Sequence, residues 1–213
     1  MTGDSQAPLT APRERRQRAD GIRSREAILR EAARLVTVDG IEGLSVGRLA
    51  EAVGMSKSGL FAHFRSKEEL QLATIETADA IFRAEVVEPG LAATPGLGRL
   101  RALSEAFLDH LLRGVFPGGC FFASVAAEID THPGSVRNRA LASVAAWFTL
   151  LESEARKAQA RGEISSNLTP TQIAFEINAF LLLANAQYLV ADDPAVLDLG
   201  RSATDRLLTA LAT

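Results

Sequence analysis

The stretch over residues 45–64, SVGRLAEAVGMSKSGLFAHF, decides the fold of this 213-residue chain. Its apolar spacing predicts two short helices, over about 45–53 and about 56–64, joined by a tight turn. Ser45 and Ser56 stand where the helices begin, and a serine hydroxyl there accepts a hydrogen bond from an unpaired backbone N–H group of the first turn. The stretch therefore has the pattern of a helix-turn-helix unit.

The two helices are predicted to share an apolar inner face. Gly54, just before Met55, supplies the positive φ angle that a sharp helix exit favours. The inward positions are Val46, Leu49, Ala50, Val53, Leu60 and Phe64. The outward positions of the second helix are Lys57, Ser58, Phe61 and His63. A short helix that opens with small polar and basic residues suits insertion into the major groove of DNA.

Charge is distributed unevenly along the chain, whose net charge is −3. Residues 1–70 hold 12 Lys/Arg against 10 Asp/Glu, whereas residues 71–213 hold 11 against 16. Within 11–34 there are eight arginines and four acidic residues. The charge pattern therefore assigns any contact with nucleic acid to the N-terminal part of the chain.

The composition is that of an ordinary globular protein, with 47% hydrophobic and 23% charged residues. The single cysteine, Cys120, excludes an internal disulfide and a cysteine-based zinc site, and it fits a reducing cytosol. We expect a cytoplasmic protein, because the N-terminus has no apolar run of signal-peptide length. We also expect no membrane partner, because polar residues interrupt the most apolar stretch, 173–191.

Helical patterns separated by glycine and proline turns cover the rest of the chain, with no convincing strand. The predicted fold class is all-α. We predict a disordered basic arm over 1–22, a helix-turn-helix DNA-binding domain over 23–66, and a connecting helix with a C-terminal ligand-binding and dimerisation domain over 67–213. The arginines of the arm are Arg13, Arg15, Arg16 and Arg18, which either lie in solvent or contact phosphate.

Residues 24–75 resemble the N-terminal domain of TetR-like (tetracycline-repressor-like) transcriptional regulators. The matching residues are Ile28, Leu29, Ala32, Ala33, Gly40, Ser45, Val46, Leu49, Ala50, the run 52–57, Leu60, Phe61, His63, Phe64, Ser66, Lys67, Glu68 and Leu70. The remainder of the chain is similar to the family only in type, because the family's C-terminal domains are helical, variable, ligand-binding and dimerising.

The resemblance implies a set of contacts to DNA. Ser45 is expected to reach a phosphate, and Arg48 a phosphate or a base edge. The leading turn of the recognition helix consists of Ser56, Lys57, Ser58 and Gly59, and the flanking phosphate contacts are assigned to His63 and Lys67.

Two positions depart from the family's usual pattern, since Gly59 stands where Thr is common and Phe61 where Tyr is common. Phe61 has no hydroxyl for a phosphate, although its ring can still meet a thymine methyl group. Gly59 costs about 1 kcal/mol of helix propensity but permits close approach of the backbone to DNA.

Aromatic residues of the C-terminal domain are candidates for the wall of a ligand cavity. The candidates are Phe107, Phe121, Phe122, Trp147, Phe148 and Phe175, joined by Cys120 and Asn178. Each aromatic residue is also consistent with an ordinary core position. A mostly apolar wall predicts a hydrophobic or amphipathic small molecule.

Polar residues of the same domain have several possible partners. Asn178, Asn185 and Gln187 lie in an apolar helix, where a ligand, a dimer seam or exposure to solvent would satisfy them equally. Cys120 follows two glycines at a helix start, so a sensing thiolate and an inert buried thiol are both open.

The sequence contains no catalytic, nucleotide-binding or metal-ligand motif, so we expect neither enzyme activity nor a cofactor.

We predict a homodimeric repressor that a small molecule releases from a pseudo-palindromic DNA operator by a population shift. The helices over 169–190 and 194–211 would form a four-helix interface that sets two recognition helices in successive major grooves. The alternatives are a helical ligand-binding protein or enzyme with a vestigial DNA-binding unit, and a regulator without a small effector.

Overall fold

The computed structural model describes residues 12–126, 128 and 133–213, and gives only the backbone for 12–20, 22 and 23. Helices are the regular secondary structure of the described part, and besides turns and loops it contains one isolated bridge, between Ile164 and Ala212, which confirms the all-α prediction. The helices are α1 (Pro12–Asp39), α2 (Val46–Ala52), α3 (Lys57–Phe61), α4 (Lys67–Phe82), α5 (Glu88–Leu91), α6 (Leu97–Leu112), α7 (Phe121–Ala126), α8 (Ser135–Ala160), α9 (Pro170–Ala191) and α10 (Ala195–Leu211). A π-helical turn, Arg83–Val87, joins α4 to α5.

Helix α1 is longer than the sequence predicts. It begins at Pro12, which lies within the segment 1–22 that the sequence assigns to the N-terminal arm. Residues 12–22 contain four arginines, one Glu and one Gln, which favour helix, and proline is tolerated in a first helical turn. Residues 1–11 of the predicted arm lie outside the described residues, as do the side chains of its four arginines, Arg13, Arg15, Arg16 and Arg18.

The N-terminal helices pack around one small core. Ile28, Ala32 and Val36 recur every four residues along α1 and are buried, so that one face of α1 lies against α2 and α4. Leu49 of α2 and Leu60 of α3 close this core from the other side. The helix-turn-helix unit is therefore held by α1 and by the start of α4.

The C-terminal domain is built around α6, which packs against α8, α9 and α10. Leu100, Leu103, Phe107 and Leu111 are buried along one face of α6, as the apolar spacing predicts. Burial of each such side chain stabilises the fold by about 1.5–3 kcal/mol.

Helix α9 is the one described helix that is long and apolar enough to cross a membrane by length and composition. It nevertheless buries Ile173, Ile177 and Leu181 within the domain. Its residues Asn178 and Asn185 accept hydrogen bonds from Trp147 Nε1 and from the backbone N–H group of Cys120, just before α7. In this structure α9 is a core helix of the C-terminal domain.

A buried carboxylate fixes the start of α6 against α8. Glu154 accepts hydrogen bonds from Gly96 N (2.9 Å) and Lys157 Nζ (2.6 Å), and it lies 3.5 Å from Arg99 Nη1. Burial alone raises the pKa of Glu154, but these donors and charges outweigh it and hold the pKa below its ordinary value of 4.5.

The segment around α7 contacts the end of α1 through two hydrogen bonds, and we call these four residues the α1 clasp. Gly118 N donates to Thr37 Oγ1 (3.1 Å), and Ile41 N donates to Glu128 Oε2 (3.0 Å). A Cβ atom at Gly118 would lie 1.8 Å from the Thr37 carbonyl oxygen, so this approach requires glycine. The α1 clasp ties the helix-turn-helix unit to the C-terminal domain.

Replacing Glu154 with Ala is expected to lower the free energy of unfolding by about 3 kcal/mol at neutral pH, because Arg99 is left with a largely buried, unpaired charge. The pKa of Glu154 is lower in the folded protein than its ordinary value of 4.5. The contribution of Glu154 to the free energy of unfolding is therefore fully present above the ordinary pKa, and it is lost as the pH falls through the pKa of the folded state. Urea denaturation at neutral and at acidic pH measures both effects. The control, Asp205→Ala, breaks an exposed pair with Arg101 and should cost less than about 1 kcal/mol. Equal losses in the two variants would contradict the role of Glu154.

Gly118→Ala is expected to lower the free energy of unfolding by about 1–3 kcal/mol, because the added methyl group forces the loop away from Thr37. Thermal denaturation measures the loss as a lower Tm. Gly134→Ala is the matched control, since its backbone is extended and a Cβ there meets no atom within 4 Å. An unchanged Tm for Gly118→Ala would mean that the close approach does not exist in solution.

Candidate nucleic-acid interface and ligand cavity

Two serine hydroxyls fix the starts of α2 and α3. Ser45 Oγ accepts a hydrogen bond from Arg48 N (3.2 Å), and Ser56 Oγ accepts one from Gly59 N (3.1 Å). Both caps confirm the sequence prediction. Gly54 between the helices has a φ angle of +66°, which is the left-handed conformation expected for this turn.

Helix α3 is shorter than the sequence predicts, because it ends at Phe61 and not near Phe64. The chain turns after Phe61 and thereby brings Phe64 into the core, where it is buried. The guanidinium of Arg25 lies 4.4 Å from the centre of the Phe64 ring and donates to the His63 carbonyl oxygen (3.4 Å). Helix α1 therefore holds the exit of α3 in place.

The outward face of α3 combines a free cation with an exposed ring. Lys57 and Ser58 are exposed, and Phe61 is 55% exposed. Among the described residues, the Lys57 ammonium has neither a hydrogen bond nor an ion pair. A Cβ atom at Gly59 would lie 3.2 Å from Ser56 Oγ, so glycine leaves the cap undisturbed. This turn presents a positive charge, hydroxyl groups and an apolar ring on one surface.

Two other basic residues predicted to reach DNA are already paired within the protein. Arg48 Nη1 lies 2.5 Å from Asp39 Oδ2. Lys67 Nζ donates to the Glu42 carbonyl oxygen (2.7 Å) and lies 3.3 Å from its carboxylate. Each side chain is about half exposed and would have to exchange a protein oxygen for a phosphate oxygen. Among the described residues, the structure thus distinguishes Lys57, which has no partner, from the paired cations Arg48 and Lys67.

A cavity of about 260 Å³ lies between α4, α6, α7, α8 and α9. Its aromatic wall consists of Phe82, Phe107, Phe122 and Trp147. Its polar groups belong to Cys120, Ser143, Asn178 and Asn185. Alanine, valine and leucine residues complete the wall: Ala123, Ala126, Val144, Leu182 and Ala186. No side chain among the described lining residues carries a formal charge.

Five of the eight residues predicted for the ligand pocket line this cavity: Phe107, Cys120, Phe122, Trp147 and Asn178. Three predicted residues do not. Phe121 is buried in the core against Phe116. Phe148 is partly buried against the core and does not line the cavity, and Phe175 is 60% exposed on α9. Helical periodicity finds apolar positions, but it does not tell which apolar face meets an empty space.

Phe82 and Ser143 also line the cavity, although the sequence did not assign them to the ligand site, and so does Asn185, for which a ligand was one of three possible partners. Phe82 ends α4, which the sequence places as a connecting helix outside the pocket. Ser143 has no signal beyond its small size. The sequence did give a signal for Asn185, because a polar residue in an apolar helix needs a hydrogen-bond partner when it is buried.

The cavity is directly joined to the segment that carries the α1 clasp. Asn185 Oδ1 accepts a hydrogen bond from Cys120 N (2.8 Å), two residues after Gly118. A Cβ atom at Gly119 would lie 2.3 Å from the same oxygen. Burial raises the pKa of the Cys120 thiol despite hydrogen bonds from the backbone of Ala123 and Phe122. Cys120 is therefore a neutral thiol at physiological pH, which favours the inert alternative over the sensing one.

His110 extends the aromatic wall toward the N-terminal domain. Its ring lies edge-on to Phe82 (6.1 Å) and to Phe116 (5.8 Å), and its Nδ1 atom has no hydrogen-bond partner among the described residues. Burial lowers the pKa of His110 to about 4, with Glu85 opposing this shift and Arg113 adding to it. The imidazole is therefore neutral at physiological pH and adds no charge beside the cavity.

A larger groove, about 730 Å³, runs between α1 and α4. Its rim is strongly charged, with Arg25, Glu26, Arg30, Arg34, Glu76 and Glu85 among its residues. Such a rim is well solvated and lacks the apolar enclosure that small-molecule sites usually have. We therefore identify the smaller aromatic cavity as the candidate ligand site.

Two family profiles match the chain. The profile of bacterial regulatory proteins of the tetR family matches residues 28–74, which hold the helix-turn-helix unit. The profile of the tetracyclin repressor-like C-terminal domain matches residues 96–204, which hold the cavity. The two matches thus cover both parts of the molecule.

Individual proteins are similar over most of the chain. The transcriptional regulator AcuR of Cereibacter sphaeroides is 25% identical over 76% of this chain and 76% of its own. A TetR transcriptional regulator from Chloroflexus aurantiacus has the same fold, with a TM-score of 0.83 at 24% identity over 91% of this chain and 98% of its own. AibR in complex with isovaleryl coenzyme A and operator DNA gives a TM-score of 0.70 at 25% identity over 89% and 98%.

Proposed function

We infer the function from family membership: this chain belongs to the tetR family of bacterial regulatory proteins and is a DNA-binding transcriptional regulator. We propose that it binds an operator as a homodimer in the cytoplasm, represses transcription, and leaves the DNA when a small molecule fills the aromatic cavity. The observation that carries this proposal is the exposed first turn of α3, which starts with Lys57, a side chain with no partner in the part of the chain that the structure describes.

The first turn of α3 supplies the proposed contacts to DNA. Lys57 reaches a phosphate without giving up a protein partner, which favours binding that weakens as salt rises. Ser58 and the exposed Phe61 ring face base edges, where an apolar ring suits a thymine methyl group. The remaining proposed contacts come from Ser45, Arg48, Ser56, Gly59, His63 and Lys67, and they fix the register on the phosphates.

An exposed apolar surface on α9 and α10 supports the homodimer. The exposed apolar side chains of these two helices are Phe175, Leu182, Leu183, Leu189, Val190 and Leu199. A monomer rarely leaves so many large apolar side chains exposed on adjoining helices, whereas a subunit interface buries them. A twofold dimer through this surface would place two α3 helices about 34–36 Å apart, in successive major grooves.

The cavity and the α1 clasp support release by a small molecule. A ligand that contacts Asn185 competes with the hydrogen bond to Cys120 N and thereby moves the segment that carries Gly118. Because Gly118 touches Thr37 directly, this movement reaches α1 and the helix-turn-helix unit. AibR, whose complex holds both isovaleryl coenzyme A and operator DNA, is a similar protein that combines the two kinds of ligand. The cavity also disfavours a regulator without a small effector.

Lys57→Gln is expected to weaken operator binding about tenfold and to reduce the salt slope of log Kd by about one, because one phosphate contact is lost. Fluorescence anisotropy at several salt concentrations, on a DNA site selected by the protein from a random pool, measures both. Lys67→Gln is the matched comparison and should cost less, since its ammonium is already held by Glu42. A greater loss at Lys67 than at Lys57 would contradict the proposed interface.

Leu183→Glu is expected to convert the dimer to monomer, because it places a charge in the apolar surface of α9. Sedimentation velocity measures the oligomeric state. Leu112→Glu, on α6 and outside this surface, is the matched control, since Leu112 is 50% exposed and Leu183 is 60% exposed. A Leu183→Glu protein that sediments as wild type would place the dimer interface elsewhere.

A further inference from the structure

We propose that the effector is an uncharged aromatic molecule of about two fused rings, with a hydrogen-bond acceptor such as a carbonyl or ether oxygen near each end. This inference rests on the proposed function, in which occupancy of the aromatic cavity releases the DNA, and it names the chemical class of the occupant. Five features of the cavity carry it: its neutrality, two amide donors without a partner among the described residues, their spacing, the arrangement of its rings, and its volume.

The neutrality of the cavity excludes a charged occupant. No described lining side chain bears a formal charge, and an ion would lose its hydration there without gaining a counter-ion. Ser143 Oγ accepts a hydrogen bond from Arg139 Nη1 (2.6 Å), but this guanidinium is already paired with Asp79 at 3.2 Å. Cys120 remains a protonated thiol because its burial raises the pKa.

Two carboxamides line the cavity and use their oxygens within the protein, while their amino groups have no hydrogen-bond partner among the described residues. Asn178 Oδ1 accepts from Trp147 Nε1 (3.0 Å), and Asn185 Oδ1 accepts from Cys120 N (2.8 Å). Each indole or backbone donor fixes the orientation of its amide, which leaves the NH₂ group to donate elsewhere. Neither Nδ2 atom has a hydrogen bond within the described residues. Asn185 is only 5% exposed, so its free donor favours a ligand acceptor over bulk water.

The spacing of the two donors sets the shape of the ligand. Asn178 and Asn185 are seven residues apart on α9, which is two helical turns, so they lie on one face about 10 Å apart along the helix. A ligand that satisfies both therefore lies along α9 with its acceptors at opposite ends.

The rings of the cavity select a flat molecule. Phe107 and Trp147 lie nearly parallel, at 24°, whereas Phe82 stands edge-on to both. Aromatic faces and edges at these angles favour a further ring, stacked or edge-on. The volume of about 260 Å³ exceeds the roughly 150 Å³ of a cavity that holds one benzene ring, which suits a bicyclic molecule.

The test compares two neutral bicyclic probes on the wild-type protein. 7-Methoxycoumarin carries a carbonyl and a methoxy oxygen at opposite ends, whereas 2-methoxynaphthalene has similar size but no carbonyl. Trp147 is the single tryptophan of the chain, so its fluorescence reports occupancy of this cavity directly. We expect the coumarin to bind at least about fivefold more tightly, the value of one net hydrogen bond. The anionic probe 6-methoxy-2-naphthoate should bind more weakly than either.

A variant then tests whether the amino group of Asn178 donates a hydrogen bond to the ligand. Asn178→Asp keeps the oxygen that accepts from Trp147, removes the amino group and faces the ligand acceptor with a carboxylate, so coumarin affinity should fall about tenfold. Methoxynaphthalene should lose less affinity, because its single ether oxygen can accept from Asn185 instead. Asn167→Asp, in the loop before α9 and exposed, is the matched control and should change neither affinity.

Any one of three results would overturn the ligand class. They are equal binding of coumarin and methoxynaphthalene, a preference for the naphthoate, and an equal loss of affinity for both neutral probes in Asn178→Asp. DNA binding by the unliganded protein is measured in parallel, so that the two proposals fail separately. DNA binding without a coumarin preference overturns only the ligand class. A coumarin preference that depends on Asn178, in a protein that binds no DNA, supports the ligand class and overturns the proposed function.

Discussion

The close contact between Gly118 and Thr37 is the constraint on which the arrangement of the two parts depends. The loop before α7 can press its backbone against the end of α1 only because Gly118 has no side chain. The Glu128 carboxylate accepts from Ile41 N at the other end of α7 and completes the α1 clasp. The position of the recognition helix is thereby fixed by a segment of the C-terminal domain, and not by the N-terminal core alone.

The same short segment also forms part of the cavity wall. Asn185 of α9 accepts its hydrogen bond from Cys120 N, and Cys120 follows Gly118 by only two residues. A ligand that contacts the Asn185 carboxamide therefore acts on a hydrogen bond next to the α1 clasp. Packed segments of this kind shift between discrete arrangements more readily than they stretch, which allows a small local change to reorient a whole helix. The link between cavity and DNA-binding unit is thus a chain of named contacts from α9 through α7 to α1.

Much of the fold follows from sequence, whereas the cavity does so only in part. The caps at Ser45 and Ser56, the turn at Gly54 and the all-α class follow from local rules that act within a few residues. The placement of Phe121 and Phe175 does not, because an apolar residue on a helix is compatible with the core, a cavity or a subunit interface. The pairing of Lys67 with Glu42, which are 25 residues apart, likewise depends on tertiary structure that spacing cannot supply.

The most direct test of coupling between cavity and DNA is the operator Kd of the wild-type protein with and without saturating 7-methoxycoumarin. If the cavity controls the α1 clasp, the ligand should raise the operator Kd by about tenfold or more, which is a coupling free energy of at least about 1.4 kcal/mol. Because linkage is reciprocal, saturating operator should lower the coumarin affinity by the same factor. Tight coumarin binding, reported by Trp147, with an unchanged operator Kd would contradict control of DNA binding through this cavity.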